Sequence, residues 1–129
     1  MKLLLDTCAV LFSELEPEKL GSKTKAALVE PGNEIFISAV TVGEIACLYG
    51  KKIKLSKHWR TWIREALTEN KWSLLTIDGD IMEEAYSLPE PFHKDPADRI
   101  LVATSRLKNI SLVTNDRLIT AYPFVNVYW

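Results

Sequence analysis

The sequence predicts a small three-layer α/β domain built around a mostly parallel sheet. Strand-like and helix-like segments alternate from end to end, which is the signature of helices covering both faces of a sheet. The chain has 129 residues, 47% of them hydrophobic. At this size roughly 65 to 70% of the unfolded surface can be buried without disulfides or a structural metal. No Pro/Gly/Ser-rich linker and no internal repeat divides the chain, so residues 1–129 are expected to form a single domain.

The elements follow in order. Lys2 to Leu5 reads as a short buried strand ended by Asp6, and Thr7 to Leu15 as a helix. Glu16-Pro17-Glu18 breaks it, Lys19 to Val29 suits a second helix, and Pro31-Gly32-Asn33 is a turn by composition. Glu34 to Ser38 is a β-branched and aromatic strand, and Ala39 to Tyr49 is apolar nearly all round, the pattern of a buried helix. Ser56 is a good N-cap for a helix to about Asn70, with Trp59, Trp62, Ile63, Ala66 and Leu67 on one face and Lys57, Arg60 and Arg64 opposite. Ser73 to Ile77 gives a third strand, and Asp78 caps a helix reaching about Ser87. Asp95-Pro96-Ala97-Asp98 combines a capping residue, Pro at the first helical position and an acid in the first turn, so a helix runs from there to about Lys108. Ile110 to Thr114 is a fourth strand, Arg117 to Ala121 a short helix, and Val125 to Tyr128 a fifth strand.

Composition excludes several classes. The N-terminal apolar run is cut by Asp6, and nothing approaches the ~18 apolar residues of a membrane span, so a cytoplasmic protein without membrane partners is expected. Cys8 and Cys47 lack any C-x-x-C spacing and read as small buried thiols. The glycines, at 21, 32, 43, 50 and 79, spell neither a P-loop nor a dinucleotide fingerprint. No H-E-x-x-H or G-x-S-x-G is present, and an Asp-x-Asp phosphatase would need an acid where Cys8 stands. His58 and His93 read as ordinary polar residues, with an RNA contact as the other option. The formal net charge is only −1, yet Lys51 to Arg64 holds six Lys/Arg and no carboxylate, leaving ten Lys/Arg against seventeen Asp/Glu elsewhere.

Ligands of parallel sheets bind beyond the carboxyl ends of the strands. Asp6 directly follows the first strand and Asp116 lies two residues beyond SLVT. Glu44 sits one and a half turns into the apolar helix after the second strand, and Asp98 in the first turn of the helix before the fourth. Asp6, Asp95 and Asp116 are also good N-caps, and Asp98 also suits a helix dipole. Glu44 is less easily explained, since it lies amid Val42, Ile45, Ala46 and Leu48 with no Lys or Arg between Glu30 and Lys51. Carboxylates gathered in one place repel one another unless a cation joins them, and oxygen donors without Cys or His favour Mg²⁺ or Mn²⁺. Such ions serve phosphodiester hydrolysis. Lys57, Arg60 and Arg64 are most simply a solvated face, or else a phosphate-tracking row beside such a site.

MKLLLDT, ISAVTVGEIA, HKDPADRILVATSRL and LVTNDR, in that order across the chain, resemble PIN-domain ribonucleases, in particular the VapC-type toxins of toxin–antitoxin modules. The resemblance implies an α/β/α sandwich with a parallel five-stranded sheet and a Mg²⁺- or Mn²⁺-dependent endoribonuclease. It also implies a small antitoxin whose tail enters the active-site groove, and a homodimer. The family's acidic quartet falls on Asp6, Glu44, Asp98 and Asp116, as metal ligands and catalytic groups, and Thr114 matches a hydroxyl that supports the last acid. Asp95 belongs to the DPxDR variant and is taken as a cap near the site. Arg99 is assigned either to pairing around the acids or to partner contact. Many relatives carry His after the Asp-Thr pair and Trp before the Glu; Cys8 and Gly43 stand there instead, which alters the pocket without touching the quartet. The competing readings are a non-catalytic PIN-like module that binds RNA or protein through the basic helix, and a nuclease acting on DNA ends.

Overall fold

A computed structural model describes residues 1–129. Five parallel strands, β1 (Lys2–Leu5), β2 (Glu34–Ser38), β3 (Ser73–Leu75), β4 (Ser111–Val113) and β5 (Val127–Tyr128), form one sheet in the order β3-β2-β1-β4-β5. The helices are α1 (Thr7–Leu15), α2 (Ser22–Val29), α3 (Ala39–Leu48), α4 (Trp59–Asn70), α5 (Gly79–Ala85), α6 (Pro96–Lys108) and α7 (Arg117–Thr120). A single 3₁₀ turn, Pro17–Lys19, precedes α2.

Residue alternation along the strands produces the three layers. Leu3 and Leu5 of β1, Ile35 and Ile37 of β2 and Val113 of β4 pack with Ala9, Val10, Ala27, Ile45, Trp62, Ile63 and Ala66, so α1 to α4 cover one face. Leu4 and Leu112 pack with Leu101, Val102, Ile119 and Tyr122, which places α6 and α7 on the other. There α5 joins through Ile81 and Ala85 against Ile100 and Ala103 of α6. Fully buried central strands need both covers, hence the unbroken apolar run of β1. This is the α/β/α sandwich that the sequence predicts. No helix is long and apolar enough to cross a membrane.

The order of strands decides where a ligand belongs. From β1 the chain moves outward through β2 to β3, then returns past β1 to β4, so the winding reverses between β1 and β4. At that reversal the crossovers leave in opposite directions, and a crevice opens at the carboxyl ends.

Several local expectations need correction. The helix expected over Lys19–Val29 is a 3₁₀ turn plus α2, because Leu20 is extended between them. The helix expected from Ser56 begins at Trp59; the cap is His58, whose Nδ1 accepts from the Arg60 N–H at 3.2 Å. The third and fourth strands end at Leu75 and Val113, and the fifth begins at Val127. Cys8 and Cys47 are exposed rather than buried.

Candidate active site

Asp6 and Asp116 flank the reversal point. The Asp6 N–H donates to the Val113 carbonyl at 3.1 Å, extending the β1–β4 ladder by one residue and fixing where the carboxyl emerges. Asp6 is buried, and its Oδ1 caps α1 by accepting the Ala9 N–H at 2.6 Å. Asp116 caps α7, its Oδ1 accepting from Leu118 and Ile119 at 2.9 and 3.0 Å. Thr114 lies between them: its hydroxyl accepts the Asp116 N–H at 3.1 Å and also acts on the Asp6 carboxyl.

Glu44 arrives from α3. Thr7, the residue after Asp6, donates its hydroxyl to Glu44 Oε1 and lies 3.2 Å from the Thr41 hydroxyl. A threonine has one hydroxyl proton, so while Thr7 donates to Glu44 the donor in the second contact is Thr41. Thr7 and Thr41 are both buried, and they form a polar clasp between α1 and α3. Asp98 arrives from α6, whose N-cap Asp95 accepts the Asp98 N–H at 3.0 Å. Oδ2 of Asp98 lies 3.2 Å from Nε2 of His93.

The electrostatics show that these groups share one neighbourhood. Burial, chiefly, lifts the Asp6 carboxyl to about 6; the Thr114 hydroxyl and the Ala9 N–H pull it down, and Asp116 and Glu44 push it up. Burial first and then Asp95, Asp116, Glu44 and Asp6 lift Asp98 to about 7. The Cys8 thiol, on an exposed residue, is raised by the partial loss of water around it and then by Asp6, Glu44, Asp98 and Asp116. One thiol that feels all four acids ties them to a single edge. No cation stands among these leading influences.

Repulsion acts across several ångströms, whereas a Mg²⁺ ligand must approach to about 2.0–2.1 Å. By that stricter measure, no three His, Cys, Asp or Glu side chains stand where they could hold a metal ion. Local partners account for the open arrangement: Glu44 is turned onto Thr7, Asp6 onto the α1 N-terminus and Asp98 beside His93. The set therefore fits a hard divalent cation in donor type and uncompensated charge, and lacks closed coordination geometry.

The remaining residues singled out from sequence lie outside the quartet, with Asp95 beside it as the cap whose Oδ1 accepts the Asp98 N–H. Asp95 is an exposed helix cap. Arg99, 8% exposed, spends its guanidinium on the Ala85 carbonyl at 3.2 Å and Glu90 Oε1 at 3.0 Å. Lys57, which precedes α4, pairs with Glu65 at 2.7 Å; on α4 itself Arg60 lies over the Trp59 ring, and Arg64 is exposed. None of these three bonds to an acid of the quartet. Sequence reasoning missed Thr7 and His93: adjacency to Asp6 was the only sign of the first, and nothing in the spacing from His93 to Asp98 marked the second.

Beside the acids runs a groove of about 430 Å³ lined by Phe92, His93, Leu118, Tyr122 and Phe124, among others. His93 is its common wall with Asp98.

Sheet order, layers and acidic edge define a class, and the chain belongs to the PIN domain family, whose model matches residues 3–125. Within it the chain is homologous to VapC-type toxins. It is 29% identical over 120 residues to "Ribonuclease VapC22" of Mycobacterium tuberculosis, covering 92% of this chain and 90% of that protein. Among solved structures it is similar to VapBC2 from Rickettsia felis bound to a promoter DNA fragment, with a TM-score of 0.73, 14% identity and coverage of 99% and 98%. A toxin–antitoxin complex from Klebsiella pneumoniae gives a TM-score of 0.64 at 25% identity, covering 95% and 94%.

Proposed function

We propose that this chain is a metal-dependent endoribonuclease and the toxin of a toxin–antitoxin pair. What supports the reading is that Asp6 and Asp98 are both held well above the usual carboxylate range, with the other acids of the quartet among the causes and no cation among the leading ones. These four residues would hold Mg²⁺ or Mn²⁺. Bound there, the ion supplies charge neutralisation at a phosphodiester and activation of water.

The chain's own residues prepare that edge. Thr7 holds Glu44, which cannot otherwise remain midway along an apolar helix without cost. Thr114 and the Ala9 N–H both act on the Asp6 carboxyl, the latter on Oδ1, and so orient it. Asp98 can keep a proton near neutral pH when no cation is present. Its occupancy by metal and by proton are then alternatives.

RNA is the proposed substrate, in keeping with the ribonuclease named above, and Lys57, Arg60 and Arg64 the proposed phosphate contacts. A cognate antitoxin is the proposed inhibitor, as VapBC and toxin–antitoxin complexes are the structural relatives. We also propose a homodimer of single-domain chains working in the cytoplasm. The open arrangement of the acids favours one other reading, a non-catalytic RNA- or protein-binding module.

Cleavage of pooled small RNA with Mg²⁺, Mn²⁺ or EDTA, with Asp98→Asn alongside, tests the reading. Discrete fragments that vanish with EDTA and in the variant are expected. Full metal-dependent cleavage by Asp98→Asn overturns the assignment, and RNA binding that ignores Mn²⁺ and never leads to cutting favours the binding module.

A further inference from the structure

His93 enters the site from a segment held with unusual thoroughness. Between α5 and α6 the chain has no regular structure, yet it is pinned at three successive points. The Tyr122 hydroxyl donates to the Pro89 carbonyl at 2.6 Å. Glu90 receives Arg99 on Oε1 at 3.0 Å and the Phe92 N–H on Oε2 at 2.9 Å. Phe92 is itself buried, stacked at 4.5 Å between centroids on Tyr122, with the Arg99 guanidinium 5.8 Å from its ring. The next residue is His93, whose ring lies 4.5 Å from that of Phe92.

The imidazole so delivered has a specific target. Nε2 is sealed from solvent and makes no well-aligned hydrogen bond, but Asp98 Oδ2 lies 3.2 Å away. Oδ1 of Asp98 accepts no protein hydrogen bond, while its backbone N–H donates to Asp95. A nitrogen excluded from water is costly unless it gains a partner, and a carboxylate beside three others needs one oxygen held to face them in a fixed way. Carboxylates that ligate metals are themselves commonly held by hydrogen bonds from groups behind them.

We propose that His93 is a positioning residue for Asp98: its Nε2 holds Oδ2 and so fixes the carboxyl that, with Asp6, Glu44 and Asp116, would hold a divalent cation. The buried Arg99 acts at one remove, by locking the segment that presents His93. This inference rests on the metal-dependent reading of the site.

The test is Mn²⁺ binding by calorimetry on the full chain, with kcat and KM for RNA cleavage measured in parallel. His93→Ala should weaken Mn²⁺ about 10- to 100-fold and lower kcat at fixed Mn²⁺, with KM for RNA unchanged within about twofold. His93→Gln, whose amide nitrogen can occupy the place of Nε2, should recover most of the Mn²⁺ affinity, whereas the shorter His93→Asn should not. Because His93 acts through Asp98, adding His93→Ala to Asp98→Asn should cost no further Mn²⁺ affinity. Mn²⁺ bound as tightly by His93→Ala as by the wild type overturns the role. Equal losses in the Ala, Asn and Gln variants accompanied by lowered melting temperatures do the same, since they mark a packing residue. A raised KM with Mn²⁺ affinity intact overturns it in favour of RNA contact. A wild-type chain that binds no Mn²⁺ and cuts no RNA overturns the ribonuclease reading along with it.

Discussion

The acidic edge and the basic face of α4 each gather charges of one sign, and the molecule treats them in opposite ways. At the edge, Asp6 is buried and Asp98 half-buried, and both carboxyls are pushed far above their ordinary value. Just before α4 and along it, Lys57, Arg60 and Arg64 are exposed; one is neutralised by Glu65 and another rests on an indole ring. Exposed like charges are screened and cheap, whereas buried ones raise the free energy of the fold. The difference teaches where to look for function: a charge cluster that costs stability and is nonetheless built, with Thr7, Thr114 and helix N-termini recruited to hold it, demands a ligand, while a solvated face does not.

Removing a carboxylate from the edge should therefore have the largest effect of any change. Asp6→Asn or Asp98→Asn should lower metal-dependent RNA cleavage by about 10²–10³ or more, the scale of losing one preorganised electrostatic group, and combining the two should cost little extra because either empties the site. Rates from single-turnover cleavage check this; simple additivity would argue that the acids work separately.

The next effect is on stability and has a definite sign. Unfolded, both carboxyls titrate near 3.8; folded, Asp6 does so at about 6 and Asp98 at about 7. Between those values the folded chain holds protons that the unfolded chain has released, so raising the pH favours unfolding. The loss begins near pH 4 and is complete above about pH 7, at about 3 kcal/mol for Asp6 and a discounted share for the more hydrated Asp98. In EDTA the melting temperature should be several degrees higher at pH 5 than at pH 8. Adding Mn²⁺, or substituting Asp6→Asn with Asp98→Asn, should remove most of that slope.

How much of this could be read beforehand follows the range of each determinant. Glu34–Ser38 and Pro96–Lys108 have the bounds expected from sequence, and Asp78 and Asp95 cap the helices assigned to them, because strand composition and capping are local. The start of α4 was misread because Ser is the commoner cap and His58 does the work. Cys8 and Cys47 were misplaced by residue type, where helical phase decides. Thr7, Ala9 and Val10 are the buried positions of α1, leaving Cys8 outward, and Cys47 lies about 200° round from the buried Ile45. Three acids at strand ends and a helix start, and Glu44 midway along α3, were legible as candidates. Their supports were not, since Thr7 and Glu44 are 37 residues apart and meet only through the β1–β2 pairing.

A smaller effect should come from the clasp. Thr7→Val keeps shape while removing the hydroxyl from both Glu44 and Thr41, so a buried hydroxyl loses its partner at about 1–3 kcal/mol. Mn²⁺ affinity should fall about tenfold, toward the lower end for a group that orients a ligand, and Thr7→Ser should restore it. Rescue by serine separates the hydrogen bond from the packing of the methyl group.

The smallest effects belong to the basic face that Lys57 begins and α4 continues, and they divide its three cations. If α4 follows an RNA backbone, each phosphate contact adds about 0.7 to the slope of log affinity against log salt for a single strand. Arg60 and Arg64 are free of carboxylate partners and should each show such a decrement on substitution to Ser, with affinity falling by less than about tenfold. Lys57 is held by both oxygens of Glu65 at 2.7 and 2.9 Å, so Lys57→Ser alone should change the slope least. Glu65→Gln frees that ammonium and should tighten RNA binding instead. Filter binding across a salt series reads both signs. Slopes that ignore all four substitutions would leave the basic face a solvated surface, and the whole task of holding RNA would then fall to the acidic edge and the groove beside His93.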